Sequence, residues 1–185
     1  MIFKTKKNRE LKMPIISIEV KGEVKTPKID PSSWISESAW IVGDVSIGHE
    51  NVVYQGVIIR GDFASIEIGA RNVFQDACII NTAEGFKTTI GDNNLIGFGA
   101  IVHGATIKNN TVIGIRSVLM ISVTVEDDSM VGATSFVGMS KKVPAEKKWI
   151  GRELKGENTQ GKMWEAGRQS WRKMGLAMKN QKQNP

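Results

Sequence analysis

Apolar residues recur along this chain at an interval that belongs to neither a helix nor a lone strand. Leu95, Ile101, Ile107, Ile113, Leu119, Val125, Val131, Val137 and Val143 fall six residues apart, and an earlier set, Ile35, Ile41, Ile47, Val53 and Ile59, has the same spacing. A helix repeats at about 3.6 residues and a half-buried strand at about 2, so a strict six is a stacking period. Between the apolar positions stand residues that accept tight corners and left-handed φ values: Gly43-Asp44, Glu50-Asn51, Gly91-Asp92-Asn93-Asn94 and Asn109-Asn110. Each hexapeptide therefore reads as a short strand plus a corner. Three of them close a triangular coil, and stacked coils bury the aliphatic ladder while main-chain groups pair with the coils above and below. The pattern predicts an all-β fold, a parallel β-helix.

The register breaks twice. Ile68, Phe74 and Ile80 keep the spacing, but Ile59 to Ile68 is nine residues and Ile80 to Leu95 is fifteen, three more than whole hexapeptides in each case. The extra residues are expected to bulge at Arg60-Gly61-Asp62-Phe63 and at Asn81-Thr82-Ala83-Glu84-Gly85-Phe86-Lys87. Core positions of a solenoid are committed to packing, so a site is expected in such insertions. The repeat stops at Pro144, and Trp149-Ile150 reads as a packing anchor. Met163, Trp164, Trp171, Met174 and Met178 recur near one or two helical turns, which predicts a C-terminal α-helix from about Gly161 with Arg168, Arg172 and Lys173 toward water. The expected organisation is an N-terminal extension and lead-in strand (1–26), a β-helix domain (27–144) and a C-terminal segment with the helix and a basic tail (145–185).

The formal charge of +6 raises the question of a nucleic-acid partner, and its distribution answers it. Residues 1–28 hold 8 Lys/Arg against 3 Asp/Glu, and 146–185 hold 10 against 4, while 29–145 hold 7 against 12. An acidic body with basic ends is a poor match to a basic groove with stacking aromatics, so solvated tails are the expected reading and no nucleic-acid partner is. The single cysteine, Cys78, excludes an internal disulfide, and with no basic residue beside it in sequence it reads as packing and not as a nucleophile. No long apolar run precedes a small-residue cleavage site at the N-terminus, which gives an expectation of a cytoplasmic protein without a membrane partner.

Four strings carry a family resemblance: Ile41-Val42-Gly43-Asp44-Val45-Ser46-Ile47-Gly48, Val57-Ile58-Ile59-Arg60-Gly61-Asp62, Asn72-Val73-Phe74-Gln75-Asp76, and Ile96-Gly97-Phe98-Gly99-Ala100-Ile101-Val102-His103-Gly104. In this order they closely resemble the gamma-class carbonic anhydrases and their relatives, over roughly residues 27–155. The resemblance implies a left-handed β-helix that forms a homotrimer, with zinc held at each subunit interface by three histidines from two neighbouring subunits. Such a zinc lowers the pKa of a bound water, and the hydroxide attacks carbon dioxide.

Carried over residue by residue, the ligand set is incomplete. Asn81 and Phe98 stand at two of the histidine positions and only His103 remains, while His49, the other histidine, matches none. An amide oxygen is a weak zinc ligand and a phenyl ring is no ligand. Arg60 and Asp62 match the family's interface ion pair, Gln75 the residue that hydrogen-bonds the metal-bound hydroxide, and Asp76 a supporting carboxylate. Glu84 lies in the inserted loop, where with His103 it suggests an acid/base pair or half of a carboxylate–histidine metal site. Phe98 and Phe86 either make the interface cleft apolar or plug the old metal site. Three readings follow: a structural or assembly member of the family with no cofactor; an enzyme using His103, Glu84 and Gln75 on a small acyl or CoA-linked substrate; and a carbonic anhydrase with a rearranged zinc, iron or manganese site.

Overall fold

Six residues with one inward aliphatic side chain suffice for one side of a triangular coil, because two residues extend, the next ones turn, and every main-chain group pairs with the coil on either side. In the computed structural model, which describes residues 15–20 and 22–182, the chain makes about seven such turns of a left-handed parallel β-helix and ends in one helix. Nearly every corner carries a residue with positive φ, among them Glu50, Arg71, Asn93, Asn110 and Asp128 at φ 53–57°. A side-chain-bearing residue in that region costs about 1–2 kcal/mol. The cost is offset by coil-to-coil hydrogen bonds such as Arg71 N to His49 O at 2.9 Å and Asn110 N to Asp92 O at 3.0 Å.

One corner is also a buried polar column. Asn72 N donates to Asn51 Oδ1 at 2.9 Å, Asn94 N to Asn72 Oδ1 at 2.9 Å, and Thr111 N to Asn94 Oδ1 at 2.8 Å. The Asn51, Asn72 and Asn94 amide groups donate in turn to main-chain oxygens of Gly69, Gly91 and Lys108. These buried amides are thus paired, which is the condition for keeping them inside.

The inward ladder is Ile35, Ile41, Ile47, Val53, Ile59, Ile68, Phe74, Ile80, Ile90, Ile96, Val102, Ile107 and then every sixth residue to Val143, closed by Trp149. Leu95 and Ile101 are therefore not part of it: each is the outward neighbour of the true core residue, Ile96 or Val102. The slip has a local cause. Val102 to Ile107 is five residues, so the corner after His103 is one residue short, and the turn is made at Gly104 with φ +59°. The expected bulge at Arg60–Phe63 is likewise absorbed into one continuous strand, Ile58–Ile68, whose pairing with Trp40–Ile47 shifts between Gly43 and Val45. The second insertion does leave the prism, as a turn closed by Ala83 and Phe86.

The outward residues distinguish three faces. On one, Lys28, Ser46, Glu67, Thr89, Thr106, Thr124 and Lys142 stack in register, a polar column suited to water. On the second, Trp34, Val52, Val73, Leu95, Val112 and Met130 stack, and α1 (Gly161–Lys182) covers them with Trp164, Trp171, Leu176 and Met178. On the third, Trp40, Ile58, Ile79, Ile101, Val118 and Phe136 stack, and among the described residues no helix covers them, though the Arg152 guanidinium lies over the Phe136 ring at 5.4 Å. We call these the threonine face, the helix face and the bare face.

The helix differs from expectation in two respects. Met163 and Met174 face outward, and Arg168, expected in water, is 5% exposed because it is paired with Glu165 and with the main chain of Asn110. Past the repeat, Lys147–Ile150 and Glu153–Glu157 form an antiparallel pair at the coil end, where Trp149 is buried and Ile150 is not. The lead-in is two short strands, Ile15–Ile16 beside Trp40–Ile47 and Ile18–Val20 in a hairpin with Glu23–Lys25. Of the expected N-terminal extension and lead-in strand (1–26), residues 1–14 lie outside the described residues.

Candidate functional site

Adjacent coils bring Arg60, Asn81 and His103 into one column at the edge of the bare face, because their strands pair in parallel without a register shift. Asn81 Oδ1 lies 2.8 Å from His103 Nδ1. An amide oxygen only accepts, so in this bond Nδ1 is the donor. Arg60 pairs within its own strand, its NH1 lying 3.4 Å from Asp62 Oδ2, and the guanidinium is about half exposed.

Phe98 and Gln75 lie elsewhere. Phe98 precedes the corner at which the bare face begins, and its ring meets Trp171 of α1 edge-on, with 5.6 Å between centroids. Trp171 in turn contacts Tyr54, whose hydroxyl donates to the main-chain oxygen of Trp171 at 2.7 Å; burial pushes that phenol's pKa up. Gln75, buried, lines a cavity together with Phe98. Asp76 is half-buried, and its main-chain oxygen accepts from Gly99 N at 3.0 Å. Within one chain, then, Asn81 and His103 occupy one edge of the bare face, and Phe98, Gln75 and Asp76 the other.

Glu84 is exposed at the tip of the inserted turn and makes no hydrogen bond to His103. Phe86 packs beside Gly104, close in sequence to His103, and not against Phe98. Cys78 is the buried corner residue just ahead of Ile79–Asn81, with its thiol pKa raised by burial. Sequence reasoning missed the burial of Arg168, whereas the packing of Trp164 on the helix face is as the helical spacing suggests. Gly97 and Gly114, at one coil position, are explained by stacking, since a Cβ at either would run into the main chain of the next coil.

Asn81 Oδ1 and His103 Nδ1 are engaged with each other, and Phe98 offers no donor. Among the described residues no group of three or more His, Cys, Asp or Glu is placed to hold a metal ion. This is not the set of nitrogen, sulfur or carboxylate ligands that zinc takes, and the residues do not fit it.

The stacked hexapeptide coils define a hexapeptide-repeat β-helix protein. No family model matches the chain. It is 31% identical over 137 residues to the mitochondrial gamma carbonic anhydrase 2 of Arabidopsis thaliana, covering 71% of this chain and 49% of that protein. It is 40% identical over 85 residues to a "Probable carbonic anhydrase" of Methanocaldococcus jannaschii, covering 46% and 54%. The crystal structure of a hexapeptide transferase family protein from Anaplasma phagocytophilum superposes with a TM-score of 0.81 at 26% identity, over 89% of this chain and 98% of that one. The chain spans about half the length of the curated relatives it matches. It belongs to the gamma carbonic anhydrase-like family of hexapeptide-repeat proteins. No helix among the described residues is long and apolar enough to cross a membrane.

Proposed function

We propose that the protein is a homotrimeric, structural or assembly member of this family that has lost the three-histidine zinc site and does not hydrate carbon dioxide. The observation that carries the reading is the Asn81–His103 hydrogen bond: an amide that binds the one remaining histidine sits where the resemblance puts a zinc ligand. Phe98, at the third position, is engaged in packing with Trp171. The bare face supports association. An apolar column with Trp40 48% and Phe136 38% exposed resembles the column that α1 covers on the helix face, and an uncovered apolar face of this kind marks an interaction surface. Three copies related by a closed rotation bury three such faces and leave the threonine faces in water. The reading of an acyl- or CoA-directed enzyme needs Glu84 to act with His103, and no contact between them supports it.

The test uses purified protein. Metal analysis after zinc incubation is expected to give less than about a tenth of an equivalent per chain, stopped-flow hydration to stay at background, and light scattering to give three chains per particle. Zinc-dependent hydration would overturn the first half of the proposal and a monomeric particle the second. Ile79→Arg places a charge in the middle of the bare face and is expected to dissociate the particle without unfolding the coil; an intact trimer in that variant would move the interface elsewhere.

A further inference from the structure

Glu165, Arg168 and Arg172 fall three and four residues apart, so one edge of α1 carries all three. That edge lies beside the corner shared by the helix face and the threonine face, where Arg71, Asn93 and Asn110 take the same left-handed position in successive coils. Between corner and helix runs an open groove of about 410 Å³ whose lining includes Arg71, Asp92, Asn93, Asn110, Glu165 and Arg172. Its size is that of a small-molecule pocket, about 300–1,000 Å³, but every side chain lining it is polar or charged. The bare face is on the other side of the prism, so association through that face leaves the groove open.

The acids of this groove are committed and its guanidinium groups are not. Asp92 Oδ1 accepts from Ala70 N at 2.8 Å. Both oxygens of Glu165 accept, Oε2 from Arg168 and Asn93 and Oε1 from Gln169. Arg172, by contrast, is half-buried and makes neither a hydrogen bond nor an ion pair among the described residues. Arg71 makes one loose ion pair, NH2 to Asp92 Oδ2 at 3.5 Å, and no side-chain hydrogen bond. Each guanidinium holds its N–H donors in a rigid fork that matches the oxygens of a carboxylate or phosphate. Asn93 Nδ2 donates to Asn110 Oδ1 and to Glu165, which leaves Asn93 Oδ1 free to accept and Asn110 Nδ2 free to donate, and solvent reaches both atoms. In the adjoining depression Lys173 and Glu50 offset each other.

We propose that this groove binds a phosphate monoester of a small polyhydroxyl compound, of the size of a pentose phosphate. The phosphate is held by Arg71 and Arg172, each offering paired N–H donors, and the hydroxyls bond to Asn93 Oδ1 and Asn110 Nδ2. A phosphate monoester carries close to two negative charges at neutral pH and has three acceptor oxygens, so it engages two guanidinium groups where a carboxylate occupies one. No aromatic side chain lines the groove, so a nucleobase finds no stacking surface there. The site is made by one chain and needs neither a metal nor association between copies, so it stands or falls apart from the proposed function.

The probe is ribose 5-phosphate, titrated calorimetrically into the full chain at about 0.15 M salt, where the attraction between exposed charges is screened. The expected result is saturable binding with a Kd below about 1 mM, inorganic phosphate at least about tenfold weaker, and no binding of ribose. Arg172→Ala breaks no contact within the chain, so it should leave the thermal melt in place and weaken ribose 5-phosphate by at least about tenfold. Arg172→Lys keeps the charge without the fork and should recover only part of that loss. Arg71→Asn, a residue that suits the left-handed corner, should weaken binding to a similar degree. No saturable binding, equal affinity for inorganic phosphate, or full affinity in Arg172→Ala would each overturn the inference.

Discussion

Removing Glu165 should cost the protein more than removing Arg168, although Glu165 is by far the more exposed of the two. The pair docks α1 on the prism: Arg168 NH2 and Nε donate to Glu165 Oε2 at 2.5 and 3.2 Å, and NH1 donates to the main-chain oxygen of Asn110 at 3.1 Å. The Arg168 side chain is 5% exposed and that of Glu165 is 38% exposed. In Glu165→Ala the guanidinium stays buried with one carbonyl partner. Breaking a fully buried pair in this way costs about 3–5 kcal/mol. With one partner more than a third exposed and screened, about 2 kcal/mol is the appropriate figure. In Arg168→Met an unbranched apolar stem replaces the buried charge, and the freed carboxylate turns to water while keeping Gln169 and Asn93 as donors. That leaves mainly the lost bond to Asn110, about 1 kcal/mol. The double variant should resemble Arg168→Met, so adding the second substitution to Glu165→Ala restores stability, a coupling that a simple sum of losses cannot give. Urea titration followed by Trp fluorescence is the assay, since Trp164 and Trp171 both sit on α1. If Arg168→Met proves the costlier single change, or the double variant equals the sum, the account of the buried guanidinium is wrong.

Acid tests the same pair. The Arg168 hydrogen bond, ahead of the other contributions, holds the Glu165 carboxyl below its usual 4.5. A depressed folded-state value means that the contribution is fully present above the unfolded value and is lost as pH falls through the folded one. The wild-type helix should therefore loosen below about pH 4.5 in a step that Glu165→Ala lacks.

Two helix glycines should respond to alanine with opposite sign. Gly167 faces open space, so Gly167→Ala should raise the stability of α1 by up to about 1 kcal/mol, whereas a Cβ at Gly175 would run into Val52 Cγ1 and should push the helix off the sheet. Thermal melts of the two variants decide this, and a stabilised Gly175→Ala would refute the close approach. Cys78 should resist iodoacetamide in the native protein at pH 8, because burial keeps its thiol protonated and covered, and should label only at the rate of unfolding. Labelling of the native chain within minutes would contradict that burial.

The β-helix was legible because its signal is repeated: Ile35 through Ile59 point inward as their spacing requires. The ladder misled only where two apolar residues are adjacent. Leu95-Ile96 and Ile101-Val102 offer two registers each, and period alone does not choose between them; the choice depends on α1 covering Leu95 and on the short corner at Gly104. Arg168 was misplaced for a related reason. Helical spacing assigns it a side but does not show that a carboxylate one turn away makes its burial tolerable. At the candidate site, the residue identities at 81, 98 and 103 were readable. The pairing of Asn81 with His103 was not, since it follows from strand register across 22 residues.

The outward columns explain why the site is hard to read from one chain. Each face of the prism has one outward column beside the inward ladder that runs through every coil, and whether that column is polar or apolar decides what covers it. Threonine and lysine leave one face to water, and the valine, leucine and tryptophan column of the next is covered by α1. The bare face has an apolar column that no helix among the described residues covers, and the Arg60–Asn81–His103 column runs along one of its edges while Phe98 and Gln75 stand at the other. No rotamer change within the chain closes that distance. Under the proposed association the edge of one copy meets the opposite edge of the next, and the residues at 81, 98 and 103 converge only then. It follows that Asn81→His with Phe98→His should recover zinc affinity only in the associated protein. The same pair of changes combined with Ile79→Arg should bind no zinc, because the donors are then complete in type but divided between separate molecules.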